Sequence, residues 1–151
     1  MHSRAFVVVA LATAMAALSP SPVLAQGEFA GSWRVTELVR PDWSEHTSPE
    51  PVNPMKPGDV VTFRSGEVHA PGSFGCSEAK YEVRTLAPGE LFEGSITEPE
   101  MHATMRDRFG FGPATRTLLV DCDKGAFQYQ QGSKGLVVQF DNMIYVLEAM
   151  K

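Results

Sequence analysis

TRTLLVDCDKGAFQYQQGSKGLVVQFDNMIYVLEA, residues 115–149, decides the fold class of this chain. In 115–122, Leu118 and Val120 take one face and Leu119 the other, the period of two that belongs to a strand. Asp123-Lys124-Gly125 then reads as a hairpin turn into a second strand over 126–130. Residues 136–140 and 143–149 form another pair of strands. They are joined by Asp141-Asn142, residue types that tolerate the positive φ of a tight turn. In the last strand Ile144 and Val146 share one face, while Met143, Tyr145 and Leu147 share the other. Four strands connected this tightly predict an antiparallel sheet.

Upstream, the same period continues. Residues 28–40 read as a strand with Trp33 and Val35 on one face and Thr36 and Leu38 on the other; Pro41 ends it. Residues 41–58 carry five prolines (Pro41, Pro49, Pro51, Pro54 and Pro57) and read as a long irregular loop. Residues 59–70 form a hairpin in which Val61 and Phe63 alternate, Ser65-Gly66 turns, and Val68 returns. A glycine-rich step leads through Cys76 to a half-buried strand over 80–86, with Tyr81 and Val83 on one face. Residues 91–96 are apolar enough for a further strand. Residues 97–108 change period: Thr97 caps, Pro99 and Glu100 sit in the first turn, and Met101, Met105 and Phe109 follow on one face. Gly110 and Gly112-Pro113 stop this one short helix, with Phe109 and Phe111 folding back to the core. The expected fold is therefore all-β with one short helix: an antiparallel, lipocalin-like barrel of about eight strands, with a two-sheet sandwich as the alternative.

The N-terminus reads as an export signal. Arg4 precedes an apolar run over 5–18, Pro20 and Pro22 break it, and Val23-Leu24-Ala25 offers a cleavage site, so residues 1–25 are a signal peptide. The run is too short to span a bilayer, which takes about 20 residues. Residues 26–151 form a single domain, with 41–58 its proline-rich loop. Thirteen basic residues less Arg4, against eighteen acidic ones, leave the mature chain at −6. That charge argues against nucleic acid and against anionic membrane as partners. Two cysteines in an exported chain pair with each other: Cys76–Cys122 is the expected disulfide. The compartment is periplasmic or secreted.

Phe29-Ala30-Gly31-Ser32-Trp33 resembles the Phe-x-Gly-x-Trp opening of lipocalins and fatty-acid-binding proteins, the calycins. That resemblance implies a barrel whose closed end is plugged by Trp33. Fatty-acid-binding proteins carry an Arg-x-Tyr carboxylate anchor in their last strands; here Met143 precedes Tyr145. The mature chain is also similar to a group of small exported proteins of Gram-negative bacteria, through Cys76 to Tyr81 and Ile144-Tyr145-Val146-Leu147. This second resemblance implies compartment and size, and no activity.

Candidate chemistry is sparse. Ser44-Glu45-His46 places triad residue types side by side in a loop, without a Gly-x-Ser-x-Gly elbow. Glu98 and Glu100 suit a helix start, and Asp121 and Asp123 flank Cys122 at a turn. Met101, His102 and Met105 offer soft metal ligands, but the spacing is that of a buried helix face. Arg106 to Gly112 lacks the spacing of a phosphate cradle. No cofactor or metal and no catalytic group is assigned. The ligand-binding candidates are Trp33, Phe63, Tyr81, Phe127 and Tyr145 lining the barrel, with Trp43 and Phe74 at its rim. The expectation is an exported, non-enzymatic binding module for a small apolar molecule. The alternative is an envelope protein that binds another protein, such as an inhibitor of a lysozyme-type hydrolase. One such inhibitor group carries a Ser-Gly-x-x-Tyr loop, which Ser65-Gly66-Glu67-Val68-His69 begins alike and ends with His69.

Overall fold

A computed structural model describes residues 27–41, 54–95 and 99–151. Residues 1–25, read as a signal peptide, residues 42–53 of the proline-rich loop with Trp43 and Ser44-Glu45-His46, and the Thr97 cap lie outside the described residues. Eight strands form one antiparallel sheet: β1 (Gly31–Val39), β2 (Val60–Arg64), β3 (Glu67–His69), β4 (Lys80–Leu86), β5 (Thr115–Cys122), β6 (Gly125–Gln131), β7 (Leu136–Phe140) and β8 (Met143–Ala149). Their order across the sheet is β3-β2-β1-β8-β7-β6-β5-β4. The two ends of that order meet at a short seam. Val68 and Cys76 exchange backbone bonds of 2.8 and 2.9 Å, and the Ala79 N–H reaches the Gly66 carbonyl at 2.7 Å. The result is a nearly closed barrel, and the two-sheet alternative falls away.

The tight turns are where the residue types put them. Asp141 and Asn142 both have positive φ, 50° and 61°, joining β7 to β8, and Ser65-Gly66 joins β2 to β3. Period two sorts the strands as expected. Leu118, Val120, Tyr145 and Leu147 enter the barrel interior, while Val137, Ile144 and Val146 belong to a second apolar cluster on its outer face.

Two expectations are corrected. The register of β1 on β8 shifts between Val35 and Glu37, so Thr36 is an extra, bulged residue. The bulge turns Leu38 to the side of Trp33 and Val35, and sends Val39 into the outer cluster. Residues 91–96 hold no strand in their described part. Pro88–Gly94 is a 3-10 segment kinked at Leu91–Glu93, with Phe92 and Glu93 at φ 53° and 58°. Burial of Leu91 and Phe92 outweighs the strand propensity of a short apolar run that has no neighbour to pair with.

Helix α1 (Pro99–Phe109) packs on that outer cluster through Met105 and Phe109, with Met101 partly buried beside them and Phe111 following. Gly110 adopts φ 70° at the helix end, and the Ser133 N–H in the β6–β7 turn donates to the Phe109 carbonyl at 2.9 Å. The barrel therefore carries two cores, one inside it and one between its outer wall and the helix.

Candidate functional site

The interior is filled by the chain's own rings. Phe63 meets Tyr129 edge-on at 4.8 Å between centroids and Tyr81 at 6.3 Å. Phe74 stacks on Phe127 at 5.4 Å and meets Tyr145 at 5.3 Å and Phe140 at 5.0 Å. At one end the Trp33 indole N–H donates to the Phe29 carbonyl at 3.0 Å, so the two residues close the floor together. Beside them Arg116 on β5 donates to Glu28 at 2.7 Å, tying the lead-in of β1 across that end. At the other end Phe74, on the 3-10 turn Gly72–Phe74, and the fully buried Met55 act as a lid.

Six of the seven ligand-binding candidates are thus brought together, all in this cluster; Trp43 lies outside the described residues. Phe74 is a plug and not a rim contact, because the turn before Cys76 folds it inward. Interior residues beyond the candidates include Phe29, Met55, Tyr129, Leu136 and Val138. Tyr129 was legible as the period-two partner of Phe127 on β6. Phe29 was legible too, at period two from Trp33 and Val35, whereas Met55 precedes β2, where no period exists to read.

The interior also holds polar atoms. The Tyr129 hydroxyl is buried with no hydrogen-bond partner among the described residues, and burial pushes its pKa up. Burial, then the Asp141 charge, raises that of Tyr145, and the Met55 backbone counteracts them. The Tyr81 hydroxyl donates to the Glu67 carbonyl at 2.5 Å, bracing the seam from inside; partial burial lifts its pKa to about 12.

The seam is held covalently as well. Cys76 and Cys122 are joined, with Cα atoms 5.8 Å apart, so β5 is tied to the residue that closes the barrel on β3. A hollow of about 320 Å³ beside the disulfide is lined by Glu67, His69, Ser77 and Lys124 among others. There Glu67 accepts from His69 Nε2 at 2.8 Å and lies 3.6 Å from Arg64. The hydrogen bond from His69, with the Arg64 charge behind it, lowers the pKa of the exposed Glu67 carboxyl.

The larger concave surface is on the outside of the barrel. A groove of about 600 Å³ crosses β4, β5 and β6, with Leu119 and Ala126 in its floor and Lys80, Glu82, Asp121 and Glu93 around it. It shares Glu93, Ala126 and Gln128 with a neighbouring pocket of about 190 Å³ that reaches Gln139 and Phe140 on β7 and Asp141 in the turn after it. Glutamine side chains build the wall between them. Gln128 Oε1 accepts from the Glu93 N–H at 3.1 Å. The fully buried Gln130, with its amide turned to suit its neighbours, accepts from the Phe92 N–H at 3.2 Å and donates to the Val137 carbonyl at 2.6 Å. These two amides hold the positive-φ residues of the kinked segment, which places Glu93 over the groove. The groove was illegible in the sequence because its residues come from the outer faces of three strands and from a segment read as a strand.

No protein-family model, curated protein or solved structure matched the chain on comparison.

Proposed function

We propose that the protein is exported to the periplasm and works there as a non-enzymatic interaction module. It grips a basic segment of an envelope protein in the groove across the outer faces of β4, β5 and β6. The observation that carries this reading is the filled interior: rings occupy the barrel from floor to lid, so the accessible concavity is external. Glu93 and Asp121 against Lys80, with Glu82 held by Arg84, leave that groove the sign that steers a cationic partner. Export is supported by the disulfide, which belongs in an oxidising compartment, and by the signal-like N-terminus. Among the described residues no helix is long and apolar enough to cross a membrane. The lipocalin-like opening and the similarity to exported Gram-negative proteins accord with this compartment and shape. A small apolar molecule is the second reading, favoured by Leu119 and Ala126 in the groove floor.

Binding and inhibition assays of the mature chain with a c-type lysozyme, at stoichiometric ratio, test the first reading. The wild type is expected to bind, and Glu93→Lys with Asp121→Lys to slow association roughly tenfold. Absence of binding, with lysozyme fully active, removes that partner. An apolar mass co-purifying in native mass spectrometry of protein from its own periplasm shifts the conclusion to the second reading.

A further inference from the structure

We propose that β4 pairs edge to edge with β4 of a second copy of this chain, giving a two-fold symmetric dimer. The starting observation is an unfinished seam, and it is independent of the groove. Alternate residues of an antiparallel strand bond to opposite neighbours. The two-residue turn at Asp123-Lys124 makes Cys122 and Gly125 a bonded pair, so Cys122, Val120 and Leu118 bond to β6. Asp121, Leu119 and Thr117 then bond to β4, through Lys80, Glu82 and Arg84. The amides and carbonyls of Tyr81, Val83 and Thr85 therefore point away from β5. Ala79, of the same parity, donates across the seam to Gly66. Beyond Gly66 the β2–β3 hairpin has ended, and no backbone bond among the described residues reaches Tyr81, Val83 or Thr85. Such a row of donors and acceptors is a template for another strand.

The exposed side chains select the occupant. Lys80, Glu82 and Arg84 follow one another on the solvent face of β4, and Glu82 and Arg84 hold each other within the strand at 2.6 and 2.8 Å. Antiparallel pairing centred on Val83 sets Glu82 opposite the second copy's Arg84, and Arg84 opposite its Glu82. The pattern is self-complementary about one residue, which is what an isologous contact requires. The other end of the sheet, β3, is occupied by Cys76, so pairing at β4 closes as a dimer and does not propagate.

Sedimentation of the mature chain over a concentration series tests this. A monomer–dimer equilibrium is expected. Thr85→Pro removes an outward N–H without touching the ladder to β5, and should leave a monomer with the wild-type melting temperature. Glu82→Arg changes only an exposed side chain, turns both symmetric charge pairs repulsive, and should weaken the dimer about tenfold. Adding Arg84→Glu to Glu82→Arg should restore it. A monomer at every concentration overturns the proposal, as does a dimer that neither variant weakens or that the charge swap does not rescue.

Discussion

The two cores of this protein are built on different principles. Inside the barrel, most side chains come from strands at period two, with Phe74 from a 3-10 turn, and the rings meet at 4.8 to 6.5 Å. Outside it, Phe92, Phe109 and Phe111 come from a kinked segment, a helix end and the loop after it, at 5.6 to 6.5 Å from one another. The inner core is ringed by eight strands, so it has little room to relax. The outer core is roofed by elements that can settle. Its roof also depends on two non-glycine residues with positive φ, which cost about 1 kcal/mol or more each and persist because Gln128 and Gln130 bind their backbone.

Truncation should separate the two. Phe74→Ala removes the lid from the enclosed core and is expected to cost close to 5 kcal/mol, the upper end for a buried phenylalanine. Phe92→Ala, under the adjustable roof, is expected to cost about 3 kcal/mol. Equal losses in chemical denaturation would show that both cores are equally rigid. Cys76→Ser asks whether the inner core depends on its seam. Freeing a 46-residue separation should lower stability by about 4 kcal/mol, while leaving partner binding intact in protein that stays folded. An unchanged melting temperature would mean that the three backbone bonds and Tyr81 close the barrel alone.

Alkali should strike the inner core first. Partial burial lifts the pKa of the Tyr81 phenol to about 12 in the folded chain, above the 10.0 of an exposed tyrosine, so the folded state holds its proton longer. The stability this contributes is complete below pH 10 and lost as the pH climbs from there to about 12. Near-ultraviolet spectra should show the barrel opening in that window, and Tyr81→Phe should flatten the transition. A transition of the same steepness in Tyr81→Phe would count against this assignment. The smallest effect is expected at Tyr129→Phe. Deleting a buried hydroxyl that has no partner among the described residues should change stability by less than about 1 kcal/mol, in the stabilising direction. A clear loss would reveal a partner for that hydroxyl.

How much was legible follows the same division. The inner core could be read from Leu118, Val120, Phe127, Tyr145 and Leu147 because a strand repeats every two residues and each repeat announces its face. The disulfide could be read because Cys76 and Cys122 are the chain's two cysteines and the residues before them read as an export signal. The helix and its Met101–Met105–Phe109 stripe could be read from spacing and glycine stops. The bulge at Thr36 could not, since one extra residue in β1 leaves no mark in composition and reverses every face after it. The kink at Phe92 could not either: it is a compromise between unfavourable φ and burial that only neighbouring strands make worthwhile.

The sequence by itself determined an antiparallel all-β domain, its hairpin turns and its cross-link, because these depend on residues near one another or on a pair with no alternative. The tertiary structure alone decided that the barrel is full, that its concave surface lies on the outer face beneath Glu93, and that among the described residues no backbone bond reaches the outward amides of Tyr81, Val83 and Thr85 on β4. Volume, curvature and seam length are sums over all eight strands, and no stretch of the chain carries them.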